Sequence, residues 1–129
     1  MDLNKFTERS KEILNSAQVL AMMQNHQLLQ PVHLLSGIIE DDDTASLLLA
    51  PAGLDLKSIK SSIEKELKKF PAVTGNSGGI SASKEFIVTI EEAKKISKQK
   101  GDEYVPVESI LKATEVICKI AELTQERYK

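Results

Sequence analysis

The chain has 129 residues, of which 41% are hydrophobic and 28% charged, and its 17 basic and 19 acidic side chains leave a net charge of −2. That is enough chain for one domain with a core of its own, and so near a charge balance gives no electrostatic footprint for nucleic acid or an anionic membrane. Aromatic residues make up 4% and Trp is absent, which argues against base-stacking platforms and for packed aliphatic helices. The single cysteine, Cys118, permits no internal disulfide and points to a reducing compartment. No stretch is apolar enough to span a bilayer, and the opening MDLNKFTERSKEIL is charged with both signs and has no signal core. A cytoplasmic protein is expected.

The first predicted element runs from Thr7 to about Gln24. Thr7 is placed to cap it, and Glu8 stands in the first turn, where an acid suits the helix dipole. Ile13, Leu14, Ala17, Leu20 and Ala21 fall on one face at helical spacing. Asn25 and His26 end this helix, and Leu28 and Leu29 anchor the connection. Pro31 stands where a first helical turn tolerates it. A short helix then carries Leu34, Leu35, Ile38 and Ile39 up to the acidic run EDDD at Glu40 to Asp43. Thr44 opens another short helix, TASLLLA, which Pro51 and Gly53 end. Asp55 is placed to cap the next, with Leu56, Ile59, Ile63 and Leu67 on its inner face. The stretch 70–82, within FPAVTGNSGGISAS, is rich in Gly and Ser without periodicity and reads as a flexible linker. Ser83 is placed to cap a second long helix, with Phe86, Ile87, Ile90, Ala93 and Ile96 on one face. Gly101 ends it, Tyr104 and Val105 anchor the next connection, and a further helical stretch starts near Val107. No strand alternation is present, so the expected fold is all-α with about seven helices.

Sliding the second half by 76 positions superimposes it on the first. Thr7 meets Ser83, Leu14 meets Ile90, Ala17 meets Ala93, Leu20 meets Ile96, and Gly37 meets Ala113. The hinge NHQLLQPVHLL likewise meets GDEYVPVESIL. Caps, core positions and a turn anchor all match, which shared helical periodicity alone does not explain. The expected organisation is a single domain, 1–129, of two repeats, about 1–69 and 83–129, packed in pseudo-twofold fashion. The match fades after Thr114.

A duplicated helical unit carrying KFTERSKEIL, PVHLL and GDEYV, joined through KKFPAVTGNSGG, resembles the N-terminal domain of the Clp-type AAA+ unfoldases, nearest to the ClpB disaggregase branch. The resemblance implies a double Clp-N motif that engages unfolded or aggregated polypeptide for delivery to a hexameric ATPase ring. It implies substrate contacts at Thr7, Asp102 and Glu108 and an apolar groove that includes Ile96, with Glu92 and Ser109 as polar departures at two further groove positions. In the ClpC branch, paired acids bind phosphorylated arginine. Val32 replaces the first acid here and only Glu108 matches the second, which disfavours that ligand. No G-x-x-x-x-G-K-[ST] is present. The chain is therefore expected to be a monomeric, non-catalytic piece of a homohexameric bacterial ATPase, with ATP and magnesium belonging to the parent. The second implied function is adaptor docking, or a free-standing regulator of the same fold.

The residues also have plainer readings. Thr7 is a helix cap, Asp102 follows a helix-ending glycine, and Glu108 suits a first turn. His33 reads as a structural histidine bonded to nearby backbone. No metal is expected: His26, His33 and Cys118 have no zinc spacing, and the run from Asp41 lacks the glycine and glutamate of a calcium loop. Cys118 reads as packed or partly exposed rather than nucleophilic. Lys94, Lys95, Lys98 and Lys100 read as the wet face of a helix.

Overall fold

The computed structural model describes residues 3–40, 56–72 and 80–118. A short 3-10 turn, Leu3–Lys5, precedes α1, Glu8–Met23. There follow β1, Leu28–Leu29; α2, Pro31–Glu40; α3, Leu56–Lys68; β2, Ser81–Ala82; α4, Lys84–Gln99; and α5, Val107–Cys118. Five α-helices thus lie among the described residues, where the sequence suggested about seven for the whole chain. The helix expected from Thr44, the cap at Asp55, the acidic run from Asp41 and the side chain of Cys118 lie outside the described residues.

The long helices α1 and α4 are both 16 residues and begin and end in the same way. Each first turn leaves backbone N–H groups without intrahelical partners. Thr7 Oγ1 accepts one from Ser10 at 3.2 Å, and Ser83 Oγ accepts one from Phe86 at 3.0 Å. At the far ends the chain reverses through a left-handed residue, Asn25 with φ 58° and Gly101 with φ 78°. That geometry lets the next amide reach back over the last turn: His26 N–H donates to Ala21 at 2.9 Å and Asp102 N–H to Ser97 at 2.9 Å.

The expectation of no strand at all needs correction. Leu28 and Leu29 pair in parallel with Ser81 and Ala82, and Phe6 bridges Val105 in the same sense. The two pairings are reciprocal. Thr7 N–H donates to the Val105 carbonyl at 3.2 Å, and Ser83 N–H to the Leu29 carbonyl at 3.0 Å. The chain entering each long helix is therefore stitched to the hinge that leaves the other. Pairs of two residues leave no periodicity to read, which is why alternation fails to reveal them.

In each hinge one apolar residue turns inward and its neighbour outward, as extended backbone requires. Leu29 and Val105 are buried, whereas Leu28 and Tyr104 are exposed. A single core runs through all five helices. Leu34 and Ile110, which correspond under the 76-residue offset, are both fully buried. On α4 the buried series is Phe86, Thr89, Ile90, Ala93 and Ser97. Ile87 was expected on that face, but one residue past Phe86 is a rotation of about 100°, and its side chain is exposed. The ends of the expected linker 70–82 are built in: Phe70 and Ile80 pack against the core, and Ser81–Ala82 form β2.

Candidate functional site at the second hinge

The second hinge, from Lys100 to Val107, gathers the residues that the sequence singles out. Thr7 reaches it through the stitch. Its Oγ1 donates to Ser10 Oγ at 2.9 Å, and Ser10 Oγ donates to the Val105 carbonyl at 2.9 Å. The Thr7 hydroxyl is thus committed both as acceptor and as donor, and the half-buried side chain offers a partner little beyond its methyl group.

Asp102 and Glu108 flank the hinge, and both are exposed. Gly101, in its left-handed conformation, aims the chain so that the Asp102 amide caps α4 while its carboxylate faces water. Glu108 stands in the first turn of α5 and meets Lys100 Nζ at 3.6 Å. Both side chains are substantially solvated, so this pair contributes little to stability. Ile96 is half-buried against the core, and its carbonyl accepts the Lys100 amide at 3.2 Å. Tyr104 projects from the middle of the hinge with about half its surface exposed.

Thr7 thus reaches the hinge at Val105, Ile96 and Glu108 meet it at Lys100, and Asp102 lies within it. The chemistry on offer is two carboxylates beside partly exposed Ile96 and Tyr104. Nothing in this set makes a nucleophile with a base, and no group of three or more potential metal ligands occurs among the described residues. The two polar departures behave differently from each other. Glu92 is half-buried, but Ser109 is fully buried and its Oγ finds no hydrogen-bond partner, as is also true of Ser97. Ser109 therefore belongs to the interior and not to an open groove.

Sequence reasoning placed His33 correctly as bonded to backbone: its Nδ1 accepts the Gln30 amide at 2.8 Å. It missed His26, which reads as a residue in a turn yet is buried against His33, with Nδ1 to Nε2 at 2.9 Å. The signal was available in the matching pattern around Pro31. If Leu29 turns inward on an extended hinge, the buried cap of α1 and the first turn of α2 converge.

Such a module, with long helices capped alike and hinges cross-stitched, is an internally duplicated helical domain. The chain belongs to the family of the Clp repeat (R) N-terminal domain, whose model matches residues 5–115. It is 32% identical over 114 residues to the chaperone protein ClpB of Mesorhizobium japonicum and 34% identical over 114 residues to that of Agrobacterium fabrum. In both cases the match covers 88% of this chain and only 13% of the relative. Among solved structures, the Hsp104 N-terminal domain from Candida albicans superimposes with a TM-score of 0.84 at 26% identity, covering 95% of this chain and 81% of that one. The ClpV N-domain solved in complex with a VipB peptide shares the fold, with a TM-score of 0.73 at 20% identity over 88% of this chain and 69% of that one. No helix among the described residues is long and apolar enough to cross a membrane.

Proposed function

We propose that this chain is the substrate-engaging N-terminal domain of an ATP-dependent protein disaggregase, binding unfolded or aggregated polypeptide and handing it to an AAA+ ring. The observation that carries this reading is the homology to ClpB chaperones across 88% of the chain. The arrangement at the second hinge supports it. Asp102 and Glu108 supply polar contacts, and Ile96 and Tyr104, with the methyl group of Thr7, supply apolar ones. The domain itself performs no chemistry. ATP and magnesium belong to the parent, a cytoplasmic bacterial homohexamer, and the isolated domain is a monomer of two repeats, about 1–69 and 83–129. Contacts of this kind are individually weak, and several copies on one ring raise their effective strength.

An NMR titration with unfolded casein tests the proposal. Shifts concentrated at Thr7, Ile96, Asp102 and Glu108 are the expected result, and an unperturbed hinge at saturating casein overturns it. Adaptor docking is the second reading, favoured by the ClpV N-domain that was solved with a VipB peptide. It predicts one folded partner that binds tightly and in fixed stoichiometry, and casein fails to displace it.

A further inference from the structure

His26 lies in the first hinge and His33 in the first turn of α2, and both are buried. The backbone dictates how protons are placed on them. Gln30 N–H donates to His33 Nδ1 at 2.8 Å. That nitrogen must hold a lone pair, so neutral His33 carries its proton on Nε2. Nε2 lies 2.9 Å from His26 Nδ1, which therefore accepts. His26 keeps its own proton on Nε2, and the Leu67 backbone receives it. The relay thus runs from the start of α2 through both rings to the last turn of α3. Phe70 closes over it, its ring centroid 5.8 Å from that of His26 and 6.4 Å from that of His33. His26 also bridges Ala72 in antiparallel fashion.

One extra proton breaks this arrangement. On His33 it sets an Nδ1–H against the Gln30 N–H, and on His26 it sets an Nδ1–H against the Nε2–H of His33. Among the described residues no surrounding charge compensates. The last turn of α1 carries none, nor does the first turn of α2 apart from His33. On α3, Glu64, Lys65 and Lys68 are exposed, and Glu66 pairs with Lys69 at 2.8 Å. On α5, which packs against α2, Lys112 is exposed and Glu108 pairs with Lys100. On α4, Lys84 and Glu85 are exposed. The nearest titratable group to His33 is His26 itself, and a proton there works against one on His33.

We propose that the His26–His33 pair is an acid-responsive latch. In its neutral form it fastens the end of α3 and the segment 69–72 to the first hinge, and a proton on either ring releases them. Burial holds both rings below the ordinary histidine pKa, His33 at about 4 with the neighbouring His26 adding to the effect. The closed latch is therefore neutral at neutral pH, and opening takes up protons as the pH falls from about 6.5 toward 4. For each proton taken up, the opening constant rises about tenfold per pH unit in that window. Release uncovers Leu67 and Phe70, adding apolar surface at the entry to the connection between the repeats. The latch does not depend on what the second hinge binds.

Amide hydrogen exchange on the whole chain between about pH 7.5 and 5, corrected for intrinsic rates, reads the latch directly. The reporters are the amides of Gln30, Lys69 and Phe70, which bond to His33, Glu66 and Leu67. Their protection is expected to fall about tenfold per pH unit below 6.5, while Ala93 in mid-α4 keeps its protection. In the double variant His26→Gln/His33→Gln, which keeps an acceptor and a donor at both positions but leaves no ring to titrate, the response is expected to vanish. Should that variant not fold, ring nitrogen shifts of the unaltered chain decide. Two Nε2–H tautomers at pH 7.5 that titrate together with the exchange support the latch. Constant protection down to pH 5, independent titration of the rings without any change in exchange, or a full response in the His26→Gln/His33→Gln double variant overturns it.

Discussion

Ser97 and Ser109 are fully or almost fully buried and their hydroxyls meet no hydrogen-bond partner in the protein. An orphaned hydroxyl in an interior costs about 1–3 kcal/mol. Ser109→Ala and Ser97→Ala are therefore expected to leave stability unchanged or raise it by about 1 kcal/mol, as measured by urea denaturation. Thr7 is the opposite case. Its hydroxyl caps α1 and completes the path through Ser10 to Val105. Thr7→Ala is expected to cost about 1–2 kcal/mol, and Thr7→Ser most of that less. A client-binding defect in Thr7→Ser, where the cap survives, assigns the contact to the methyl group rather than to fold integrity.

The hinges hold the elements in register, and their turning residues set what each tolerates. Asn25 and Gly101 both occupy the left-handed region, where a side chain with a Cβ costs about 1–2 kcal/mol. Gly101→Ala is expected to lower stability by about that amount, whereas Asn25→Gly is expected to be neutral or mildly stabilising in the same assay. The α1–α2 crossing depends on another glycine. A Cβ at Gly37 would stand 3.1 Å from the Ile13 carbonyl oxygen and 3.4 Å from Ile13 Cγ2. Backbone cannot yield as a flexible side-chain end can, so Gly37→Val is expected to cost about 1–3 kcal/mol by forcing the helices apart.

Across the molecule, the stitches and the common core are expected to make the two halves unfold as one cooperative unit. Leu34 in the first half and Ile110 in the second are both fully buried, and Leu34→Ala or Ile110→Ala should each cost about 2–5 kcal/mol. Heating is expected to give a single transition in every variant, and two separated transitions in Ile110→Ala would show that the halves fold independently. The histidine pair adds a pH dependence with a definite sign. A buried neutral histidine with a lowered folded pKa contributes stability that is complete above about pH 6.5 and lost as the pH falls toward the folded value. With His33 at about 4, the loss across that interval is roughly 3 kcal/mol, and the midpoint of thermal unfolding should drop accordingly between pH 7 and 4.

Much of this fold was legible in the chain because it follows from local rules. Helical spacing of Ile13, Leu14, Ala17 and Ala21 marks the inner face of α1, Thr7 and Ser83 mark the starts of the long helices, and Gly101 marks a stop. The 76-residue offset and the phrases KFTERSKEIL, PVHLL and GDEYV carried the family as well. What the chain could not display depends on residues far apart in sequence. The stitch from Thr7 to Val105 is a long-range backbone bond that no side chain encodes. Ile87 turned outward because the buried face of α4 runs through Phe86, Ile90 and Ala93, and Ser109, polar in sequence, lies inside by its position on α5. His26 and His33 are unremarkable until the return of α3 brings the Leu67 carbonyl and the Phe70 ring over them. The sequence by itself determined the elements, their caps and their duplication, because those arise from interactions within a few residues. Only the tertiary structure decided which polar groups lie together at the second hinge and which are sealed away from water, because burial is a property of the packed whole.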